Sequence, residues 1–487
     1  MKLTELLRDI NILEARGSLD IDVSFPSFDS RKIEQEGLYV AVPGTQVDGH
    51  TFIERTIEKG ARAIVCERFP DQIHPDVTYV RVNSSSASLG QIAANSYGRP
   101  SEKMKLVGVT GTNGKTSTVT LLSRIFRSLG HSVGFLSTIR NQINEEVIVA
   151  THTTPDAIQI NELMRKMVDA GCTHCFMEVT SHAVVQNRVE GLVFSGGVFT
   201  NLTHDHLDYH KTIDAYFGAK KQFFDGLGSD AFALSNIDDE RGLSIIRDTK
   251  AIKKTYSLNS QSDFGCRVIE NTAAGSVLEI DGSEVRSKLR GRFNAYNVLA
   301  AYAASIILGA NRQRVLEIIP QLEPVEGRFD FVPQVGGVSG VVDFAHTPDG
   351  LQKILADINE MKSEGGRLIT VVGCGGDKDK EKRPVMGRIA FDNSDVVILT
   401  SDNPRSEDPL AIIEDMQQDF PHTGREKVTV TPDRRDAIRT ACQLAHTGDI
   451  ILVAGRGHEK YQFVGNQKIP FEDKSVLEET LKSVRQA

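Results

Sequence analysis

The chain has 487 residues, of which 40% are hydrophobic and 25% charged, and its formal net charge is −9 at pH 7. This length exceeds what one hydrophobic core supports and predicts two to four domains of a globular protein. The negative charge argues against broad binding to nucleic acids or anionic membranes, so anionic ligands need local Arg and Lys residues. Residues 1–17 combine polar and apolar residues at helical spacing and have no signal-peptide core, so we expect a cytoplasmic protein.

Residues 1–100 are predicted to form a small α/β domain. Apolar, β-rich segments at residues 37–42, 63–66 and 78–82 alternate with helical or turn segments. The connecting loops contain Asp29-Ser30-Arg31 and Asp48-Gly49-His50, whose polar side chains either contact a ligand or are solvated. A polar, proline-containing segment at residues 99–101 marks the expected boundary.

A glycine-rich loop follows a strand predicted at residues 104–109. It leads into a predicted helix and consists of Gly111, Thr112, Asn113, Gly114, Lys115, Thr116 and Ser117. Backbone N–H groups at a helix N-terminus bind phosphate, the Lys reaches the outer phosphates and the Thr hydroxyl can hold Mg²⁺. Val109 stands where the standard motif has Gly. The segment predicts a nucleoside triphosphate site, the alternative being an ordinary strand–turn–helix.

Two further polar segments follow strands of the same predicted sheet. Glu178 ends the strand predicted at residues 173–179, where a carboxylate is well placed for Mg²⁺ or, alternatively, forms a salt bridge. Residues 204–210 contain three His and two Asp, which indicate a metal site or a charged loop. Cys172 and Cys175 form a C-x-x-C without a second cysteine pair, so we interpret them as structural.

The last 150 residues or so alternate four apolar strands with helical segments. The strands are predicted at residues 340–343, 368–373, 396–400 and 450–454, and the alternation predicts a parallel sheet with right-handed crossovers. A polar loop containing Gly or Pro follows each strand. Because ligands bind at the carboxyl ends of strands in such sheets, this part of the chain is predicted to bind a ligand.

Several motifs now form an ordered series along the chain. They are Gly111 to Thr116, Glu178, Asn201-Leu-Thr-His-Asp-His-Leu-Asp-Tyr-His210, Gly291-Arg-Phe-Asn-Ala-Tyr-Asn297, Asp343-Phe-Ala-His-Thr-Pro-Asp349 and Asp402-Asn-Pro-Arg405. With this series the chain resembles the Mur ligases of peptidoglycan synthesis, most closely the MurE type, which adds the third amino acid to UDP-N-acetylmuramoyl-L-alanyl-D-glutamate.

The resemblance implies an α/β protein of three domains. They are a small N-terminal α/β domain that binds the UDP-muramoyl substrate (residues 1–100), a central P-loop ATPase-like parallel-sheet domain (101–328) and a C-terminal Rossmann-like domain that binds the amino acid (329–487). The resemblance further implies small-molecule substrates, a monomer, no nucleic-acid partner and no stable membrane association.

It also implies residue roles. The catalytic residues would be Lys115, Lys220 and His206. ATP would contact residues 111–117 together with Asn294, Asn297 and His346. Mg²⁺ would be held by Thr116, Glu178, His206 and a carbamylated Lys220. The UDP-muramoyl-dipeptide would contact Ser30, Thr153, Thr154, Ser181, Gln186 and Arg188. The amino acid would contact Arg383, Asp402, Asn403, Pro404, Arg405, Gly455 and Glu459. His204 and Phe344 replace an Arg and a Tyr that are usual in the family.

The amino acid that is added depends on Arg405. In the family this Arg accompanies addition of meso-diaminopimelate, whose second carboxylate Arg can clamp with two hydrogen bonds. Glu459 could accept the distal ammonium. The expected reaction is therefore ATP-dependent amide formation with meso-diaminopimelate through an acyl phosphate. The alternatives are L-lysine as the added amino acid, a ligase like folylpolyglutamate synthetase, and a nucleotide-binding protein without ligase activity.

Overall fold

The computed structural model describes residues 1–44, 47–150 and 152–485. Residue 151, which begins the polar loop before Thr153, and residues 486–487, the end of the expected third domain, lie outside the described residues. Three sheets of the α/β type fall in residues 12–82, 105–287 and 330–454. The expected boundaries near residues 100 and 328 lie in the segments between these sheets.

The first sheet has five strands in the order β1-β5-β4-β3-β2, and β1 is antiparallel to β5. Its strands are β1 (Ile12–Arg16), β2 (Pro26–Ser27), β3 (Gly37–Val40), β4 (Ala61–Cys66) and β5 (Thr78–Val82), and its helices are α1 (Leu3–Leu6), α2 (Ile53–Glu58) and α3 (Ser85–Ser96). The helical spacing of residues 1–17 corresponds to a helix only as far as Leu6. Residues 12–16 form strand β1 instead, because they pair with the sequence-distant β5.

The second sheet has eleven strands in the order β16-β15-β14-β13-β12-β11-β6-β10-β7-β8-β9. The strands are β6 (Lys105–Thr110), β7 (Val133–Leu136), β8 (Asn141–Ile143), β9 (Glu146–Ile148), β10 (His174–Glu178), β11 (Gly196–Phe199), β12 (Phe232–Asn236), β13 (Ile252–Ser257), β14 (Phe264–Thr272), β15 (Gly275–Ile280) and β16 (Ser283–Ser287). The strands β14, β15 and β16 were not predicted; β15 pairs antiparallel with both β14 and β16, and β14 alternates few buried residues with exposed ones.

Eight helices accompany this sheet in the described part of the chain: α4 (Lys115–Ser128), α5 (Ala157–Asp169), α6 (Ser181–Val185), α7 (Leu207–His210), α8 (Ile213–Asp225), α9 (Gly242–Ile245), α10 (Arg292–Ile307) and α11 (Arg312–Ile318). Apolar side chains of α4 and α10 pack on one face of the sheet, around Val107 and Val109. Those of α5 and α8 pack on the other face, around Leu106 and Met177. The alternating residues of β6 therefore face two cores, as in a sheet covered on both sides.

The position of β6 determines the position of the site. It lies between β10 and β11 and is parallel to both, with Val109 beside Glu178 and Thr110 beside Phe199. The loops that follow these three strands therefore emerge at one edge of the sheet, as expected for ligand-binding loops in a parallel sheet.

The third sheet has six strands in the order β17-β18-β22-β19-β20-β21. The strands of this region are β17 (Asp330–Val335), β18 (Val338–Asp343), β19 (Leu368–Val372), β20 (Val396–Leu399), β21 (Val428–Val430), β22 (Ile450–Ala454), β23 (Tyr461–Val464) and β24 (Gln467–Pro470). The helices are α12 (Pro348–Met361), α13 (Lys382–Asn393), α14 (Pro409–Gln417), α15 (Arg434–Leu444) and α16 (Asp473–Arg485). The four predicted strands are confirmed as parallel neighbours. The antiparallel β17 and the separate hairpin β23–β24 were not predicted.

Two smaller expectations concern cysteines and membranes. Cys172 and Cys175 are both buried and unbridged, and Cys175 lies within β10, which agrees with a structural role. No helix in the described ranges is long and apolar enough to cross a bilayer.

Candidate active site

The phosphate loop lies between β6 and α4. Gly111 and Gly114 have φ angles of 146° and 88°, and a Cβ on Gly111 would collide with the hydroxyl of Thr200. Glycine is needed there because side chains are excluded by both the backbone conformation and the close neighbour. The backbone N–H of Asn113 donates to Oδ1 of Asn201 at 2.9 Å. The loop is thereby tied to the segment that follows β11.

Two lysines predicted to be catalytic meet at one carbonyl oxygen. Nζ of Lys115, at the start of α4, donates to the carbonyls of Gly111 at 2.9 Å and Thr112 at 2.7 Å. Nζ of Lys220, on α8, donates to the same Gly111 carbonyl at 2.8 Å. Burial lowers the pKa of Lys115. Burial, with a further contribution from the Lys115 charge, lowers the pKa of Lys220 well below its usual value, which favours a neutral amine.

Glu178 supplies a buried carboxylate beside the loop. One of its oxygens accepts hydrogen bonds from Oγ1 of Thr116 at 2.9 Å and from the backbone N–H of Thr138 at 2.7 Å, and the other accepts from Oγ1 of Thr138 at 3.2 Å. Within the described part of the chain Glu178 forms no ion pair, although its side chain is fully buried. A buried, unpaired carboxylate beside a hydroxyl is a hard-oxygen donor set that fits Mg²⁺.

His206 precedes α7 and has a left-handed backbone conformation, with φ of 55°. Its Nε2 lies 3.3 Å from Asp205, and burial lowers its pKa to about 3. The imidazole is therefore neutral at neutral pH and could act as a metal ligand. His204, the first of the two family departures, lies 3.5 Å from Asp379 of the third domain. In residues 1–44, 47–150 and 152–485 no group of three or more His, Cys, Asp or Glu side chains is arranged to hold a metal.

The residues predicted to bind the muramoyl-dipeptide form a continuous set beside β10. Arg188 donates to the carbonyl of Thr154 at 2.8 Å and to Oε1 of Gln186 at 3.0 Å. Oγ of Ser181 is 2.9 Å from Nε2 of His210, and Oγ1 of Thr138 donates to the hydroxyl of Thr153 at 3.1 Å. Ser30 belongs to the first domain, in the segment between β2 and β3. The structure therefore brings five of these six residues together.

A cavity of about 290 Å³ joins the phosphate loop to the third domain. Its walls on the central domain include Lys115, Thr116, Glu178 and His206. Its walls on the third domain come from the loops after β18, β19, β20 and β22, and include His346, Gly373, Asp402, Asn403, Arg405, Gly455 and Glu459. The loops that follow four parallel strands, which were predicted to bind a ligand, thus meet the phosphate loop.

Opposite charges line the third-domain side of this cavity. Arg405 donates from Nη1 to the carbonyl of Gly376 at 2.7 Å and forms no ion pair within the described residues. Nδ2 of Asn403 donates to Oε2 of Glu459 at 2.7 Å. Burial, followed by the charge of Asp402, raises the pKa of Glu459. A guanidinium that has no carboxylate partner among the described residues and a carboxylate therefore face the cavity, where a zwitterionic ligand could bind both.

Two residues predicted to bind the amino acid, Arg383 and Pro404, are not among those that line the cavity. Arg383 is fully buried and donates to Glu407 at 2.8 and 3.0 Å and to Asp415 at 2.9 Å. Its guanidinium is therefore already engaged by two carboxylates, which the local sequence did not reveal because both acids lie more than 20 residues downstream. A direct contact of Arg383 with the substrate stays a prediction.

The residues predicted to bind the nucleotide are divided between two cavities. A second cavity, of about 440 Å³, lies between the central and third domains and is lined by Asn297. Asn294 does not line it but accepts a hydrogen bond from Nδ2 of Asn297 at 3.0 Å. His346 lines the first cavity, and its Nδ1 is 2.8 Å from the carbonyl of Phe344. Burial lowers the pKa of His346 to about 4.

Arg328 and Thr138 line the first cavity, although no sequence motif assigns them a role in the site. Arg328 is the last residue of the expected central domain (101–328), and its Nη2 donates to Oγ1 of Thr116 at 3.2 Å. Its guanidinium also lies 4.3 Å from the ring centroid of Phe344, the second family departure. Thr138 belongs to no motif, and its contact with Glu178 arises only because β7 lies beside β10.

Three family models match the chain in order. The model described as "Mur ligase family, catalytic domain" matches residues 22–97, "Mur ligase middle domain" matches 109–305, and "Mur ligase, glutamate ligase domain" matches 327–457. The chain belongs to the Mur ligase family. Each of the three matches overlaps one of the three sheets, and the cavity of about 290 Å³ is lined by residues of both the second and the third matched regions.

Individual members of the family resemble this Mur ligase over nearly its whole length. The UDP-N-acetylmuramoyl-L-alanyl-D-glutamate–2,6-diaminopimelate ligase of Cytophaga hutchinsonii is 50% identical over 99% of both chains. A solved structure of an enzyme with the same name has a TM-score of 0.69 at 29% identity and covers 99% of both chains. A folylpolyglutamate synthase of Mycobacterium tuberculosis complexed with ADP has a TM-score of 0.64 at 18% identity, covering 76% of this chain and 92% of its own, and shows the shared fold alone.

Proposed function

We propose that this Mur ligase joins meso-diaminopimelate to UDP-N-acetylmuramoyl-L-alanyl-D-glutamate, with hydrolysis of ATP to ADP and phosphate, in peptidoglycan precursor synthesis. The observation that carries the proposal is the cavity in which the phosphate loop and Glu178 face Arg405 and Glu459. One wall suits a triphosphate, and the other suits an amino acid with an additional carboxylate. The relatives named as diaminopimelate ligases support the same reaction.

The first chemical step transfers the γ-phosphoryl group of ATP to the terminal carboxylate of the dipeptide. Both reactants are anions, so positive charge is needed to offset their repulsion and to stabilise the transferred group. Lys115 and Arg328 supply it, and the N–H groups at the start of α4 face the phosphates. Mg²⁺ held by Thr116, Glu178 and His206 would add Lewis-acid stabilisation of the phosphates when bound.

Lys220 is proposed to carry a carbamate. The amine must be neutral to react with carbon dioxide, and burial with the neighbouring Lys115 charge lowers its pKa in the required direction. The product carbamate bears a carboxylate-like charge, so a buried neutral amine would be replaced by an anion close to the Gly111 carbonyl and the Lys115 charge. Such an anion is a hard-oxygen donor suited to a second Mg²⁺.

The second step is attack of the diaminopimelate amine on the acyl phosphate, which forms the amide and releases phosphate and a proton. No covalent intermediate with the protein is required. The residues around Arg188 would hold the dipeptide, and Ser30 in the first domain would contact its UDP portion. Enclosure between domains would protect the acyl phosphate from water. We further propose that the protein acts in the cytoplasm as a monomer on small-molecule substrates, without membrane or nucleic-acid partners.

The preference for meso-diaminopimelate over L-lysine rests on Arg405. Lysine lacks the distal carboxylate that the unpaired guanidinium of Arg405 could bind, and would leave this cation without a partner. Glu459 and Asn403 would hold the distal ammonium beside it. Lysine addition and folylpolyglutamate-like activity remain the alternatives that the assay must exclude.

The test is phosphate release by the purified protein with ATP, Mg²⁺ and UDP-N-acetylmuramoyl-L-alanyl-D-glutamate, with either meso-diaminopimelate or L-lysine added. We expect release to depend on the amino acid and to be much faster with meso-diaminopimelate, with the amide product identified by mass spectrometry. Faster release with lysine would contradict the selectivity. Activity only with a folate and glutamate would contradict the substrate, and nucleotide binding without any release would contradict ligase activity.

A further inference from the structure

The hairpin β23–β24 is bonded along one edge to the loop that contains Arg405. The backbone N–H of Arg405 donates to the carbonyl of Phe463 at 3.0 Å, and the N–H of Gly465 donates to the carbonyl of Arg405 at 2.6 Å. Between these bonds Arg405 has a φ of 51°. A left-handed conformation is unfavourable for a residue with a side chain and persists only where neighbours hold it. The hairpin supplies that restraint.

The hairpin also orients the two other residues of the loop. Nε2 of Gln462 donates to the backbone carbonyl of Asp402 at 2.6 Å. The N–H of Phe463 donates to Oδ1 of Asn403 at 2.9 Å, and Nδ2 of Asn403 donates in turn to Glu459 at 2.7 Å. The bond from Gln462 fixes the loop backbone, and the bond from the Phe463 N–H fixes which end of the Asn403 amide points to Glu459.

A buried arginine fixes the base of the hairpin. Nη2 of Arg456 donates to the carbonyl of Tyr461, where β23 begins, at 2.8 Å and to that of Phe471, just after β24, at 3.2 Å. Nε of the same side chain lies 4.0 Å from Glu459. Beyond this base the hairpin is exposed, including Phe463 and Ile469. A two-stranded ribbon is marginally stable alone, so its contacts at the base and with the Arg405 loop must keep it ordered.

We propose that Gln462 is a positioning residue for amino-acid selectivity, and that the hairpin β23–β24 is the element that holds Arg405 and Asn403 in the geometry that distinguishes diaminopimelate from lysine. This inference rests on the proposed function. Within the described residues, the side chain of Gln462 donates to the Asp402 carbonyl, and Gln462 lines neither of the two cavities that contain the residues assigned to ATP. Its effect is therefore confined to the amino acid.

The test compares two glutamines of the same hairpin. Gln462→Glu keeps the shape of the side chain but removes the donor to the Asp402 carbonyl, and Gln462→Ala removes the side chain. Gln467→Glu and Gln467→Ala are the matched controls, because Gln467 is exposed on the second strand. For both Gln462 variants we expect the KM for meso-diaminopimelate to rise about tenfold, with kcat and the KM for ATP unchanged, and the preference over lysine to fall. The Gln467 variants should match the unmodified protein.

Two results would overturn the inference. One is an equal KM for meso-diaminopimelate in the Gln462→Glu and Gln467→Glu proteins. The other is a parallel loss of kcat and of affinity for ATP and diaminopimelate, which would indicate general destabilisation of the domain. The thermal midpoint and the KM for ATP of each variant separate this second result from a local effect. If the unmodified protein itself lacks diaminopimelate-dependent phosphate release, the proposed function fails first, and that failure is recognisable without any variant.

Discussion

The phosphate region of the central domain and the amino-acid region of the third domain hold their charges differently. Around the phosphate loop, the half-buried Lys115 and the buried Lys220 donate to loop carbonyls. In the third domain, Arg405 lines the cavity with no carboxylate partner among the described residues, and it is held through its backbone by a distant hairpin. The phosphate region serves phosphoryl transfer, a step that is the same whichever amino acid is added. The amino-acid region leaves Arg405 without a carboxylate partner, and its charge can distinguish one amino acid from another.

The largest effect is expected from Lys220→Ala, which changes the phosphate region and therefore phosphoryl transfer. Loss of the proposed carbamate would remove a charged group close to the transferred phosphoryl group, so kcat should fall about a hundred- to a thousandfold. The loss should be the same with every amino acid tested. Carbon-13 NMR of protein equilibrated with labelled bicarbonate should show a carbamate signal in the unmodified protein and none in the variant.

Lys221→Ala is the matched control for this prediction. Lys221 follows Lys220 on α8, but it pairs with Asp225 and Asp248 at the surface, each at 2.7 Å. Losing a surface ion pair costs at most about 1 kcal/mol of stability, and kcat and the carbamate signal should be retained. Retained activity in Lys220→Ala, together with no carbon-13 signal in the unmodified protein, would contradict the carbamate.

The same contrast explains how far the sequence could predict the site. The phosphate loop is local: Gly111, Gly114, Lys115 and Thr116 are close in the chain, and the strand before them fixes their place at the sheet edge. The loops of the third domain were also predictable as a set, because strand and helix alternate there. The contacts that these loops make could not be predicted. The hairpin that holds Arg405 comes about 60 residues later and is exposed on both strands, so no hydrophobic pattern marked it.

Arg383 is a second case in which the sequence could not predict the contacts of a side chain. The family resemblance implies a substrate contact for Arg383, whereas the fold pairs it with Glu407 and Asp415. Residue type and spacing indicate that an arginine is important, but they do not indicate whether its charge is free. That property depends on acids brought close by α13 and α14, which pack on each other only in the folded domain.

Arg405→Ala tests whether the guanidinium of Arg405 in the amino-acid region binds the distal carboxylate of diaminopimelate. A hydrogen bond between charged groups contributes about 1.5–3 kcal/mol, so the KM for meso-diaminopimelate should rise about ten- to a hundredfold or slightly more. The KM for ATP should change little, and the preference for diaminopimelate over lysine should largely disappear. Arg388→Ala is the control, because Arg388 pairs at the surface with Asp392 at 2.6 Å. Equal effects on the KM of ATP and of diaminopimelate would contradict the clamp.

The smallest expected effect concerns the protonation of Glu459. Burial and the Asp402 charge raise its pKa, so it takes up a proton at a higher pH than an ordinary glutamate and then loses its attraction for the distal ammonium. At about pH 8, Glu459→Gln should raise the KM for diaminopimelate up to about tenfold. As the pH falls, the ratio of the two KM values should decrease toward one, beginning at a higher pH than for an ordinary glutamate, because only the unmodified protein loses a charge at this position. Protonation of the substrate affects both proteins equally and cancels in the ratio.

His206, whose pKa is lowered to about 3, stays neutral over this range, so the KM for ATP should not follow the same curve. A ratio independent of pH would show that Glu459 does not bind the ammonium as an anion, and selectivity would then rest on Arg405 alone.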